Sequence, residues 1–327
     1  MVNNKSRNFL QNFSLHRLFI TAFVLLLAIH SFSQAPGHTL QSFIMGDSVL
    51  VTIDRPGAYK KRKPTIVVFY ALPNGNSTAW TRGKKMEPGD DWHYDIQHIE
   101  AQAGFVRKQL RKKNIVVIYL ENNYKSWPRW KQVHSAFTTR IPQIIDSLTA
   151  LIPGKKKEIY LNGHSGGGSF IFGYLASVGK IPARVKRISF LDSNYGYDSS
   201  YYPKFRQWLR ETPGSALNVF AYNDSVALYN GKPIVSATGG TWWRSRLMLH
   251  HLQRDFSFSQ IGNDSLIVYK SNDQRIQFYL KVNPGRRIYH TQQVELNGFI
   301  HSMLCGTRYD SKRYRYFGKR AYEDIIR

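Results

Sequence analysis

With 327 residues, 42% of them hydrophobic, the chain is long enough to bury a full core without metals or cross-links. Its one cysteine, Cys305, excludes an internal disulfide, so stability must come from packing. A formal net charge of +25 draws the protein toward polyanions such as the anionic components of a cell envelope. The basic runs at 60–63, 111–113 and 155–157 are dispersed over expected loops and helix ends, and no nucleic-acid motif accompanies them, so no specific nucleic-acid partner is expected.

In chain order, Lys5, Arg7 and Arg17 precede the apolar run "LFITAFVLLLAI", and the small residues Ser31 and Ser33 follow at a spacing suited to signal peptidase. The expectation is a signal peptide over 1–33, an exported periplasmic or secreted protein, and no transmembrane span after cleavage. The remainder, 34–327, reads as a single domain. It opens with two strands about a Gly46-Asp47 turn, an antiparallel hairpin. Near-continuous apolar runs then begin at Ile66, Asn114, Arg187 and Leu217, as in strands covered on both faces. Helical spacing over 96–110 and 137–152 separates the earlier runs. Strands alternating with helices predict an α/β protein: a mostly parallel central sheet with helices on both faces. An insertion over about 230–270 carries Trp242-Trp243. A later hairpin ends in the last central strand, and a closing helix is expected in "YDSKRYRYFGKRAYEDIIR".

The stretch "EIYLNGHSGGGSFIFGYLASV", Glu158 to Val178, reads as strand, tight turn, helix. Gly163, Ser165 and Gly167 satisfy G-x-S-x-G, with a serine on the turn and small neighbours that leave room for the turn and for a substrate carbonyl. The free N–H groups of the following helix point at the same spot. A serine hydroxyl is a weak nucleophile, so this chemistry needs an imidazole to take its proton and a carboxylate to orient the imidazole.

An opening hairpin, strands alternating with helices, and a Gly-His-Ser-Gly-Gly turn resemble the α/β-hydrolase superfamily and, more loosely, its secreted esterase-D-like members. The resemblance implies the order Ser, acid, His, with the acid just past a late strand and the histidine in the loop before the final helix. It places the acid at Asp224, with Asp192 the alternative, and the base at His301, with His290 the alternative. His250 and His251 sit in helical spacing, and His164 is expected to be structural. The oxyanion donors implied are Gly166, after the nucleophile, and Leu72, in the loop before Pro73. No cofactor is expected, and His93, His98 and Glu100 lack metal-ligand spacing. The resemblance implies a serine hydrolase acting on carboxylic esters through an acyl-enzyme, its substrate a small molecule or an acylated glycan. Two other readings stay open: a serine peptidase on the same triad, or a non-catalytic basic protein that binds envelope polyanions.

Overall fold

The computed structural model describes residues 30–35 and 37–327. The expected leader lies outside the described residues except for its end, which runs into the first strand. The opening is antiparallel: β1 (His30–Ala35), β2 (His38–Met45) and β3 (Val49–Pro56), with β2 and β3 joined by a turn over Gly46–Ser48. β4 (Thr65–Ala71) follows, then the short helix α1 (Thr78–Arg82), α2 (Ile99–Gln109) and β5 (Asn114–Asn122). Next come α3 (Trp127–Val133), α4 (Phe137–Leu151), β6 (Lys157–His164), α5 (Gly168–Ser177), β7 (Val185–Leu191), α6 (Tyr202–Glu211) and β8 (Ala216–Tyr222).

After β8 the chain forms a two-residue ribbon, β9 (Leu228–Tyr229) with β10 (Lys232–Pro233), then α7 (Thr241–Leu252). The strands β11 (Phe258–Asn263), β12 (Leu266–Ser271) and β13 (Ile276–Lys281) precede α8 (Gln292–Glu295) and α9 (Gly298–Leu304). One sheet runs in the order β1-β2-β3-β5-β4-β6-β7-β8-β13-β12-β11. Its six central strands, from β5 to β13, pair in parallel, and both margins are antiparallel. This is the topology of the α/β-hydrolase fold.

Alternation along β4 shows why the run at Ile66 is apolar throughout. Val67, Phe69 and Ala71 join the core beneath α3 to α7, while Ile66, Val68 and Tyr70 join a second core beneath α2 and α9. Both faces of the strand are dry, and each buried large side chain contributes about 1.5–3 kcal/mol. Pro142 lies inside α4, and the helix continues past it.

The expected closing helix does not form. Residues 308–322 are turns and irregular chain that bury Tyr314, Tyr316 and Tyr322, and only a single 3-10 turn, Glu323–Ile325, follows. The side chain of Asn297 holds this segment, donating to the carbonyls of Arg315 and Lys319 and accepting from the amide of Ala321. Local backbone capture by that amide and the burial of three tyrosines on one face outweigh the helical spacing. Among the described residues no helix is long and apolar enough to cross a membrane.

A buried ionic cluster fastens α2 to the antiparallel margin. His38 Nδ1 lies 2.9 Å from Asp54 Oδ1, and its Nε2 lies 2.9 Å from Glu100 Oε1. Arg107 meets the same Asp54 carboxylate at 3.0 Å. The bonds to Asp54 and Glu100 raise the His38 pKa to about 9. Because the folded value exceeds the unfolded one, His38 stabilises the fold fully below about pH 6.5, and that contribution is lost as pH rises through 9. Urea unfolding between pH 6.5 and 9.5 should therefore show a loss on the order of 2 kcal/mol that is absent in His38→Gln. Equal pH slopes for the two proteins would contradict this assignment.

Candidate functional site

β6 is a central strand ending at His164, and the chain turns at Ser165 into a short 3-10 segment, Ser165–Gly167, that leads into α5. Ser165 has φ +54°, in the left-handed region that a side chain seldom adopts. Its glycine neighbours are required by space. A Cβ on Gly167 would come within 2.1 Å of the Ala71 carbonyl oxygen, and one on Gly168 within 1.6 Å of that of Ser193. A Cβ on Gly166 would meet the side-chain amide of Asn74 at 1.9 Å. The turn is thus clamped between the loops that leave β4 and β7, at the carboxyl ends of the parallel strands, where such sheets assemble functional groups.

Asp192 follows β7 directly, with φ +47° and a fully buried carboxylate. Its Oδ2 lies 2.5 Å from Nδ1 of His290, and its Oδ1 accepts a hydrogen bond from the Thr241 hydroxyl. His290 belongs to the loop between β13 and α8, and its side chain stays partly exposed. The neighbour of the serine fixes that loop. His164 Nε2 donates to the His290 carbonyl oxygen at 3.1 Å, and the two rings stand 4.5 Å apart at a 33° tilt. His164 is buried, and burial, with the nearby His290, lowers its pKa well below the usual range, so it stays neutral. Asp192 and His290 are therefore paired beside the turn that carries Ser165. Among the described residues no hydrogen bond joins the Ser165 hydroxyl to His290.

Three of the expected residues have other neighbours in the structure. His301 does not reach the turn: it lies inside α9, 1% exposed, bonded through Nδ1 to the Tyr314 hydroxyl at 2.9 Å and stacked on Tyr316. Burial lowers its pKa to about 3, which is the behaviour of a core histidine. Asp224 does not reach His290. Its carboxylate accepts from the amides of Thr241 at 2.7 Å and Trp242 at 3.3 Å, so it caps the start of α7. Leu72 has no N–H to spare, because the amide donates to the Leu120 carbonyl at 3.2 Å, one step beyond β4. The amide of Gly166 lies in the first turn after the serine, where N–H groups have no intrahelical partner.

Beside Ser165 lies a cavity of about 470 Å³, walled by Asn74, Lys131, Gly166, Phe172, Ser193 and Tyr195 among others. Trp127 and Trp130 on α3 are core residues, at 1% and 0% exposure. Trp242 and Trp243 line a separate cavity with Leu247, His250 and Tyr269.

No protein-family model matches the sequence, and neither does any curated protein. Among solved structures the chain is similar to a thermostable esterase at 15% identity and a TM-score of 0.46, over 80% of this chain and 60% of that one. It is also similar to an S-formylglutathione hydrolase from Agrobacterium tumefaciens, at 13% identity and 0.44, over 83% of this chain and 96% of that one. An acetyl xylan esterase from Aspergillus awamori matches at 12% identity and 0.43, over 80% of this chain and 99% of that one.

The two carboxylates near Thr241 are electrically coupled. Burial and the charge of Asp192 push the Asp224 pKa up to about 6, against the helix amides that lower it. Carboxyl carbon NMR titration should find this value near 6 and lower it in Asp192→Asn, though not to the ordinary 3.8, because desolvation persists. An Asp224 titration that ignores the substitution would separate the two groups.

Proposed function

We propose that the protein is a serine hydrolase that cleaves carboxylic esters, with Ser165 the nucleophile, His290 the base and Asp192 the residue that orients it. The observation that carries this reading is the Asp192–His290 pair, held beside the Ser165 turn by the His164 bond to the His290 carbonyl. With Nδ1 committed to the carboxylate, Nε2 is the nitrogen free to take a proton. The order Ser165, Asp192, His290 along the chain is that of the α/β-hydrolase elbow.

In the reaction, the Ser165 oxygen attacks the acyl carbon while its proton passes to His290 Nε2, and Asp192 stabilises the imidazolium. The carbonyl oxygen gains negative charge and is received by the Gly166 amide. Asn74 supplies the second donor in place of Leu72: it lies against Gly166 on the cavity wall, and its backbone N–H has no partner among the described residues. The alcohol leaves with the proton from His290. Water, activated by the same imidazole, then attacks the acyl-serine and restores the free hydroxyl.

With a short-chain aryl ester, His290→Ala and Asp192→Asn should each lower kcat by about a thousandfold or more. His301→Phe should lower the melting temperature while turnover persists, since it alters a core contact. Loss of turnover in His301→Phe with turnover retained in His290→Ala would overturn the assignment.

A further inference from the structure

Among the described residues Lys131 is the one cation on the wall of the Ser165 cavity, and no carboxylate shares that wall. It projects from α3, whose Trp127 and Trp130 are anchored in the core, so its backbone is fixed. Its stem lies over α5, the helix that starts at the serine turn: a Cβ on Gly173 would come within 3.1 Å of Lys131 Cδ. Gly173 thus leaves the space the lysine needs. The ammonium stands 5.4 Å from the centre of the Phe137 ring, a weak attraction. It has no acidic partner within 4 Å among the described residues, and burial alone lowers its pKa.

A chain with 46 Lys and Arg against 21 Asp and Glu has many cations without acidic partners, most of them exposed and solvated. Lys131 differs because it is partly withdrawn from water and lines the cavity that holds the proposed nucleophile. Desolvating an ammonium without a counter-charge is costly, and a ligand anion would offset that cost. Ser169, Tyr195 and Tyr201 line the same cavity and offer hydroxyls to hydrogen-bond such a group.

We propose that Lys131 is a specificity-determining residue that receives an anionic group of the substrate, so that the preferred esters carry a negative charge. This rests on the Ser165 reading above. The charge can belong to the acyl part, as in a half-ester of a dicarboxylic acid, or to the alcohol part, as in an acylated hydroxy acid. Both present a carboxylate to the same ammonium.

The test compares kcat/KM for two matched pairs in wild type, Lys131→Met, Lys131→Arg and the exposed-surface control Lys155→Met. One pair is 4-nitrophenyl hydrogen glutarate with 4-nitrophenyl pentanoate; the other is 4-acetoxybenzoate with its methyl ester. In Lys131→Met the anionic-to-neutral ratio should fall about tenfold for one pair, the loss of a charge-assisted contact. Lys131→Arg should keep most of that ratio, and the pair that responds identifies the side bearing the charge. Unchanged ratios in Lys131→Met, or an equal fall in Lys155→Met, would overturn the proposal. Calorimetric binding of glutarate and of 4-hydroxybenzoate adds a readout independent of turnover. At least one should bind about tenfold more weakly to Lys131→Met. If no protein form cleaves any ester, the hydrolase reading fails, and this binding difference, or its absence, still decides the role of Lys131.

Discussion

The close approach of the Ser165 turn to its neighbours is the constraint on which the site depends. The backbone at Gly167 and Gly168 lies so near the carbonyls of Ala71 and Ser193 that no side chain fits between. Those carbonyls belong to the ends of β4 and β7, so one contact region fixes the serine relative to two loops. The β4 loop brings Asn74 against Gly166, and the β7 end brings Asp192. The left-handed φ of Ser165 is tolerated because strand pairing on both sides of β6 and the packing of α5 over-determine the turn.

Around this turn the structure places two buried carboxylates and gives them different neighbours. Asp192 faces an imidazole, and Asp224 faces the first amides of α7. Thr241 stands between them, its hydroxyl donating to Asp192 and lying 3.2 Å from Asp224. Gly240 is needed at this junction, since a Cβ there would collide with the Asp224 carboxylate at 2.3 Å. The long segment after β8 thus begins by returning α7 to the site, where it satisfies an acid and buttresses the second one through Thr241. A helix start is well suited to this, with free N–H groups and a favourable dipole for a negative charge.

Much of the fold was legible because its signals are local. The apolar runs at Ile66, Asn114, Arg187 and Leu217 are strands, and the glycines around Ser165 mark the turn where they stand. The proposed partners of the serine were harder to read, since tertiary packing sets the neighbours of each candidate. Asp192 and Asp224 end successive parallel strands and look equivalent along the chain; only the folded structure shows that α7 occupies the second. His301 was favoured because a closing helix was expected after it. That helix is absent, and α8 and α9 are the last helices before the irregular chain end, so the loop before them contains His290. One signal was available: in "NGFIHSML" the histidine is flanked by apolar residues at helical spacing after an Asn-Gly start, which marks a helix interior. The Leu72 amide already has a partner because the ladder with β5 continues one residue past the strand, a detail without a sequence signature.

The central claim is that Ser165 is activated as a nucleophile by the groups gathered at this turn. Treating the protein with a fluorophosphonate probe and mapping the adduct by peptide mass spectrometry tests this most directly. The account predicts a single stoichiometric adduct on Ser165. An adduct on any other serine, or none in a preparation that hydrolyses esters, would contradict it.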